Sequence, residues 1–153
     1  MKPDTRRKIE ELFPLYPERR GALLPAIYLL QEEAGYVSPD GARELAELFE
    51  LKPVQVWEVL SFYNMFYTEP QGRHHVYVCT NLPCSLRGAR AILRGIESHL
   101  GIHAGETTPD ARITLGHEEC LGSCGTAPLL RVDGEYREGV DLASALRIVD
   151  ELD

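Results

Sequence analysis

The sequence predicts an α/β protein in two parts, a helical bundle over residues 1–72 and a domain with a small mixed sheet over residues 73–153. Three observations predict it. Apolar residues recur at three- and four-residue steps through the first seventy positions. Pro70-Gln71-Gly72 then breaks the pattern. Beyond the break, short apolar or alternating runs bounded by turn residues are interleaved with two further helical stretches.

Each element has its own signal. Asp4 is placed to cap a first helix reaching about Phe13, with Ile9, Leu12 and Phe13 as its apolar stripe. A second helix from near Arg20 to Ala34 puts Leu23, Ala26, Ile27 and Leu30 on one face, with Pro25 in its first turn and Gly35 as its stop. Ser38-Pro39-Asp40 combines a cap, a preset φ and a charge that complements the helix dipole. That third helix offers Leu45, Leu48 and Phe49 to a core, and Pro53 opens a fourth carrying Val56, Val59, Leu60 and Tyr63. Phe62, Tyr63, Met65, Phe66 and Tyr67 crowd its end, where aromatics at this spacing pack a core; a seat for a partner protein is the competing reading.

In the second part, residues 75–78 form a strand ending on Cys79. Leu86, Ala89, Leu93, Ile96 and Leu100 step along a helix from Ser85 that Gly101 closes. Strands are expected at 112–115, 129–132 and 135–137, the last two joined by an Asp133-Gly134 turn. Asp141 caps a final helix with Leu142, Leu146 and Val149.

Composition excludes several functions. Sixteen Lys and Arg against twenty-four Asp and Glu leave a formal charge of −8, which a phosphate backbone repels. Arg6-Arg7-Lys8 and Arg19-Arg20 stand beside Glu10, Glu11 and Glu18 and read as solvated helix faces. No apolar run nears the ~20 residues of a membrane span, and the charged start MKPDTRRKIEELF has no signal-peptide character, so a cytoplasmic protein is expected. There is no G-x-G-x-x-G and no G-x-x-x-x-G-K-[ST], hence no evident nucleotide cradle.

The four cysteines carry the chemistry. Cys79 and Cys84 are spaced Cys-x4-Cys; thirty-five residues later Cys120 and Cys124 are spaced Cys-x3-Cys. Each pair follows a predicted strand, so both can meet at one end of a sheet, as four thiolates around an iron–sulfur core require. Cys84 stands just before the predicted helix from Ser85, whose positive dipole end favours thiolates, while Gly122 and Gly125 allow left-handed backbone and N–H approach to sulfur. A four-cysteine structural zinc site competes, although its pairs are usually Cys-x2-Cys. Unliganded buried thiols are a weaker alternative, and a redox disulfide would prefer Cys-x-x-Cys. No histidine lies in either loop, and His117 reads as a surface strand residue.

QEEAGYVSPDGARELAEL, SFYNMFYTEPQGRHHVYVCTNLPC, LRGA, LGIHAGETTPD and ECLGSCGTAPLL, in that order, make the chain resemble a known family. This is the small thioredoxin-like 2Fe–2S subunit of the flavoprotein fragment of complex I, NADH:quinone oxidoreductase. The resemblance implies a thioredoxin-like second domain and the cluster ligands Cys79, Cys84, Cys120 and Cys124. It further implies no catalytic residue of the chain's own and a heterodimer with a larger flavoprotein subunit that binds FMN and NADH. In that setting the chain would sit peripheral to the inner membrane, through the complex, and hold one electron beside the flavin. NAD-dependent formate dehydrogenases and bidirectional hydrogenases use a similar small subunit. Glu138-Gly139-Val140-Asp141 departs from the Leu-Thr-Pro helix start common in the family, and Pro128 stands where thioredoxin-like folds often carry a cis proline.

Overall fold

The computed structural model describes residues 1–153. The chain divides into two compact units, Met1–Pro70 and Gln71–Asp153. The first consists of helices α1 (Pro3–Glu10), α2 (Leu23–Ala34), α3 (Pro39–Phe49) and α4 (Pro53–Phe62), with 3-10 turns at Phe13–Leu15 and Arg19–Ala22. Ile9, Ile27, Leu45, Val56 and Leu60 are almost wholly buried at its centre. Phe13 packs edge-on against Phe49, centroids 5.1 Å apart.

Several boundaries differ from the sequence reading. α1 stops at Glu10 and passes into a 3-10 turn, because Pro14 has no N–H for the Glu10 carbonyl and its ring would clash with it in a continued α-helix. Asp4 is not the cap: Pro3 takes the first helical position, and Asp4 instead pairs with Arg7 at 2.6 Å and Lys8 at 3.0 Å. α2 begins at Leu23, the stretch before it being a 3-10 turn, and ends on Gly35 at φ 80°. Ser38 does cap α3, accepting the Gly41 N–H at 3.1 Å.

The aromatic run at the end of α4 divides. Phe66 is buried between Tyr28 and Tyr63, centroids 4.9 and 6.2 Å away. Gln31 of α2 fastens this segment, accepting the Tyr67 N–H at 2.7 Å and donating to the Met65 carbonyl at 3.0 Å. Phe62, by contrast, is 79% exposed.

The second unit is a four-stranded mixed sheet in the order β2-β1-β3-β4. Its strands are β1 (His74–Cys79), β2 (Ile113–Glu118), β3 (Leu129–Val132) and β4 (Glu135–Glu138). β1 runs parallel to β2 with Cys79 opposite Glu118, while β1–β3 and β3–β4 are antiparallel. Val76, Val78, Leu115, Leu129 and Leu130 are buried with Ile92 and Ile96 of α6 (Ala89–Leu100) and Ala145 and Val149 of α7 (Leu142–Asp150). α7 has the expected start: Asp141 Oδ1 accepts the Ser144 N–H at 2.7 Å, and Ser144 Oγ accepts the Asp141 N–H at 2.9 Å. Ala127-Pro128 is cis.

The helix expected from Ser85 to Leu100 is two helices. A short α5 (Leu82–Leu86) precedes α6, and Gly88 at φ 94° turns the chain between them. The apolar stepping runs through this turn unbroken, which is why periodicity alone merges the pair.

Candidate metal centre

Sheet topology brings the cysteine loops to one place. Cys79 is the last residue of β1 and Cys84 lies in α5, which follows. Cys120 comes just past β2, and Cys124 opens a 3-10 turn, Cys124–Thr126, shortly before β3. Parallel β1 and β2 finish at the same end of the sheet, and antiparallel β3 starts there. Backbone and side-chain bonds tie the two loops together: Thr80 N–H donates to the Glu118 carbonyl at 2.9 Å and Asn81 Nδ2 to the Glu119 carbonyl at 2.9 Å.

The four thiols are unequal. All are free; Cys79 and Cys84 are buried, and Cys120 and Cys124 are exposed. Cys84 is pushed up to about 11, first by burial, then by its hydrogen bond with Cys79 and the charges of Cys79 and Cys124; the Leu129 N–H acts the other way. This corrects the expectation drawn from the helix start. Cys84 sits inside a five-residue helix rather than before a long one, and burial with neighbouring thiols raises its pKa. Gly122, at φ 79°, aims its N–H at Cys120 Sγ, 3.4 Å away, whereas Gly125 does not have positive φ. Cys79 and Cys124 thus both act on Cys84, while the contact described for Cys120 is within its own loop. His117 is an exposed residue of β2.

The donor set fits an iron–sulfur group. It is all sulfur, with backbone N–H groups of Gly122 and Leu129 directed at two of the thiols. A buried thiol such as Cys84, held protonated by its surroundings, is what a bound cation relieves, since coordination deprotonates the thiol outright. No three His, Cys, Asp or Glu side chains stand close enough to share one metal ion. A two-iron cluster needs only two cysteine ligands per iron, which the paired loops can offer.

A family model described as thioredoxin-like [2Fe-2S] ferredoxin matches residues 9–153. The chain belongs to this family. Among relatives, an NADH-quinone oxidoreductase subunit of Rhizobium meliloti is 41% identical over 90% of this chain and 82% of its own length. The mitochondrial NADH dehydrogenase [ubiquinone] flavoprotein 2 of Dictyostelium discoideum is 38% identical over 95% of this chain, which spans 60% of that protein. NADH-quinone oxidoreductase subunit 2 of Thermus thermophilus is 39% identical over 86% of this chain and 74% of its own length. In fold, the chain matches a crystal structure of an NAD+-reducing [NiFe]-hydrogenase with a TM-score of 0.72 and 23% identity, over 84% of this chain and 22% of that one.

Sequence reading missed the side chains that brace these loops. Asn81 reaches from the first loop to the second, and Tyr136 and Glu138 reach the second from β4. Only Asn81, a residue type favoured at helix starts, carried a local signal.

Proposed function

We propose that Cys79, Cys84, Cys120 and Cys124 hold one 2Fe–2S cluster and that the chain is the electron-transfer subunit of an NADH:quinone oxidoreductase. The observation that carries this is the meeting of two cysteine loops at one end of a parallel strand pair, in a family described by that cluster. When bound, the cluster takes up and releases single electrons. The chain's own part is to hold it: Cys79 and Cys84 supply buried ligands, Cys120 and Cys124 exposed ones, and Gly122 and Leu129 N–H groups steady the sulfurs.

One cluster relays an electron only between partners. FMN and NADH are therefore assigned to a larger flavoprotein subunit, with the chain as its heterodimer partner in a larger complex. Leu82 and Leu86, 68% and 79% exposed on the helix that carries Cys84, suit such a contact. No helix is long and apolar enough to cross a membrane, so attachment to the membrane is proposed to run through the complex. Relatives near 40% identity named for NADH-quinone oxidoreductase favour this assembly over a formate dehydrogenase or hydrogenase.

The test is purification of the intact assembly and identification of its subunits. A flavoprotein with a quinone-reducing membrane arm is expected; a molybdenum or nickel–iron subunit would overturn the assignment. The isolated chain should not oxidise NADH, and any turnover by it alone would contradict the division of labour.

A further inference from the structure

β4 is an edge strand whose four residues are all exposed, so it adds little to the core. Its side chains nevertheless hold the second cysteine loop at three places. Tyr136 donates its hydroxyl to the Leu121 carbonyl at 2.7 Å. Ser123 Oγ and Thr126 Oγ1 converge on one oxygen of Glu138, at 2.7 and 2.8 Å. Just past the strand, the Gly139 N–H donates to the Thr126 carbonyl at 2.8 Å.

The chemistry of the Glu138 contact is specific. The two hydroxyls lie 2.8 Å apart, and each has one proton to give. Thr126 Oγ1 also lies 3.2 Å from the Ser123 carbonyl, but the single carboxylate oxygen is the charged acceptor within reach of both hydroxyls and has two lone pairs to take them. The same two bonds keep the Glu138 carboxyl below its usual range, so it is charged at neutral pH. Ser123 and Thr126 flank Cys124 at one residue before and two after. The first cysteine pair is buried in β1 and α5, and its loop is closed from within by Ser85 Oγ, which donates to the Thr80 carbonyl at 2.8 Å.

We propose that Glu138 is a positioning residue for the exposed half of the centre: through Ser123 and Thr126 it sets the Cys120–Cys124 loop in its ligating shape and keeps a fixed negative charge beside it. This rests on the cluster assignment above. A negative charge near a redox group disfavours adding an electron, so Glu138 lowers the reduction potential.

The experiment uses the full chain and four forms: wild type, Glu138→Ala, Glu138→Gln and Ser123→Ala. Release of the cluster to a chelator is followed by visible absorbance, and the midpoint potential by EPR-monitored titration. Glu138→Ala, which removes two charge-assisted bonds at once, should lose the cluster about tenfold faster. Ser123→Ala, which leaves β4 untouched, should lose it about threefold faster. Glu138→Gln keeps an acceptor oxygen, so release should stay within about twofold while the potential rises. Amide hydrogen exchange over residues 121–126 of the cluster-free chain tests the brace separately, and should speed up about tenfold in Glu138→Ala. Unchanged exchange and release in Glu138→Ala would overturn the brace. An unmoved potential in Glu138→Gln would overturn the charge. A wild-type chain without iron and sulfide would instead sink the cluster assignment, with the exchange result still standing.

Discussion

Replacing Gly122 by alanine isolates what the backbone contributes to the centre. Gly122 holds φ 79°, and a Cβ built there meets nothing within 4 Å, so no clash enters the comparison. The remaining cost is the left-handed conformation itself, about 1–2 kcal/mol for an L-residue with a side chain. If the loop must adopt this shape for Cys120 to bind, cluster retention falls by about 5- to 30-fold. Gly125→Ala is the matched control, because its site is equally open and its φ is not positive. The assay is competition with an iron chelator, read at the cluster's visible absorbance, for wild type and both variants. Gly122→Ala should release the cluster markedly faster and Gly125→Ala close to the wild-type rate. Equal rates for the two variants would refute the claim that the Gly122 turn shapes the site.

Two further expectations concern stability. Burial disfavours the charged form of His75, ahead of the opposing charge of Asp133, and its pKa falls below the ordinary 6.5. The unfolded chain then binds more protons than the folded one just below pH 6.5, so stability present above that pH is lost as pH falls through it. Denaturant midpoints measured from about pH 7.5 down to about pH 5.5 should decline less in His75→Gln than in wild type; parallel slopes would remove His75 as a source. In the first unit, Leu60→Ala should cost ~2–5 kcal/mol, while Phe62→Ala, two residues on and 79% exposed, should stay within ~0.5. Comparable losses for the two, by chemical denaturation, would contradict the placing of Leu60 in the core and Phe62 outside it.

The mixed sheet was legible because its strands are short runs closed by turn residues, and the Asp133-Gly134 turn gave the β3–β4 register. Caps at Ser38 and Asp141 were legible because each is a local bond between residues three apart. The break at Gly88 was not, since Leu86, Ala89 and Leu93 keep helical spacing across it and one glycine is tolerated in such a pattern. Convergence of the cysteine loops could be anticipated from their places after strands, but the depth of each thiol could not. Cys84 follows a proline in a short helix, and its burial raises its pKa where a helix start would lower it. Tyr136 and Glu138 gave no signal at all. Their partners lie twelve to fifteen residues back along the chain, and nothing in an exposed Glu-Tyr-Arg-Glu strand distinguishes a brace from a solvated edge.

The central claim is that four cysteines hold two irons and two sulfides, and metal analysis of the purified full chain tests it most directly. Iron and acid-labile sulfide should each come to about two per chain, with a rhombic EPR signal on reduction that disappears in Cys84→Ser. One zinc per chain with no labile sulfide would contradict it.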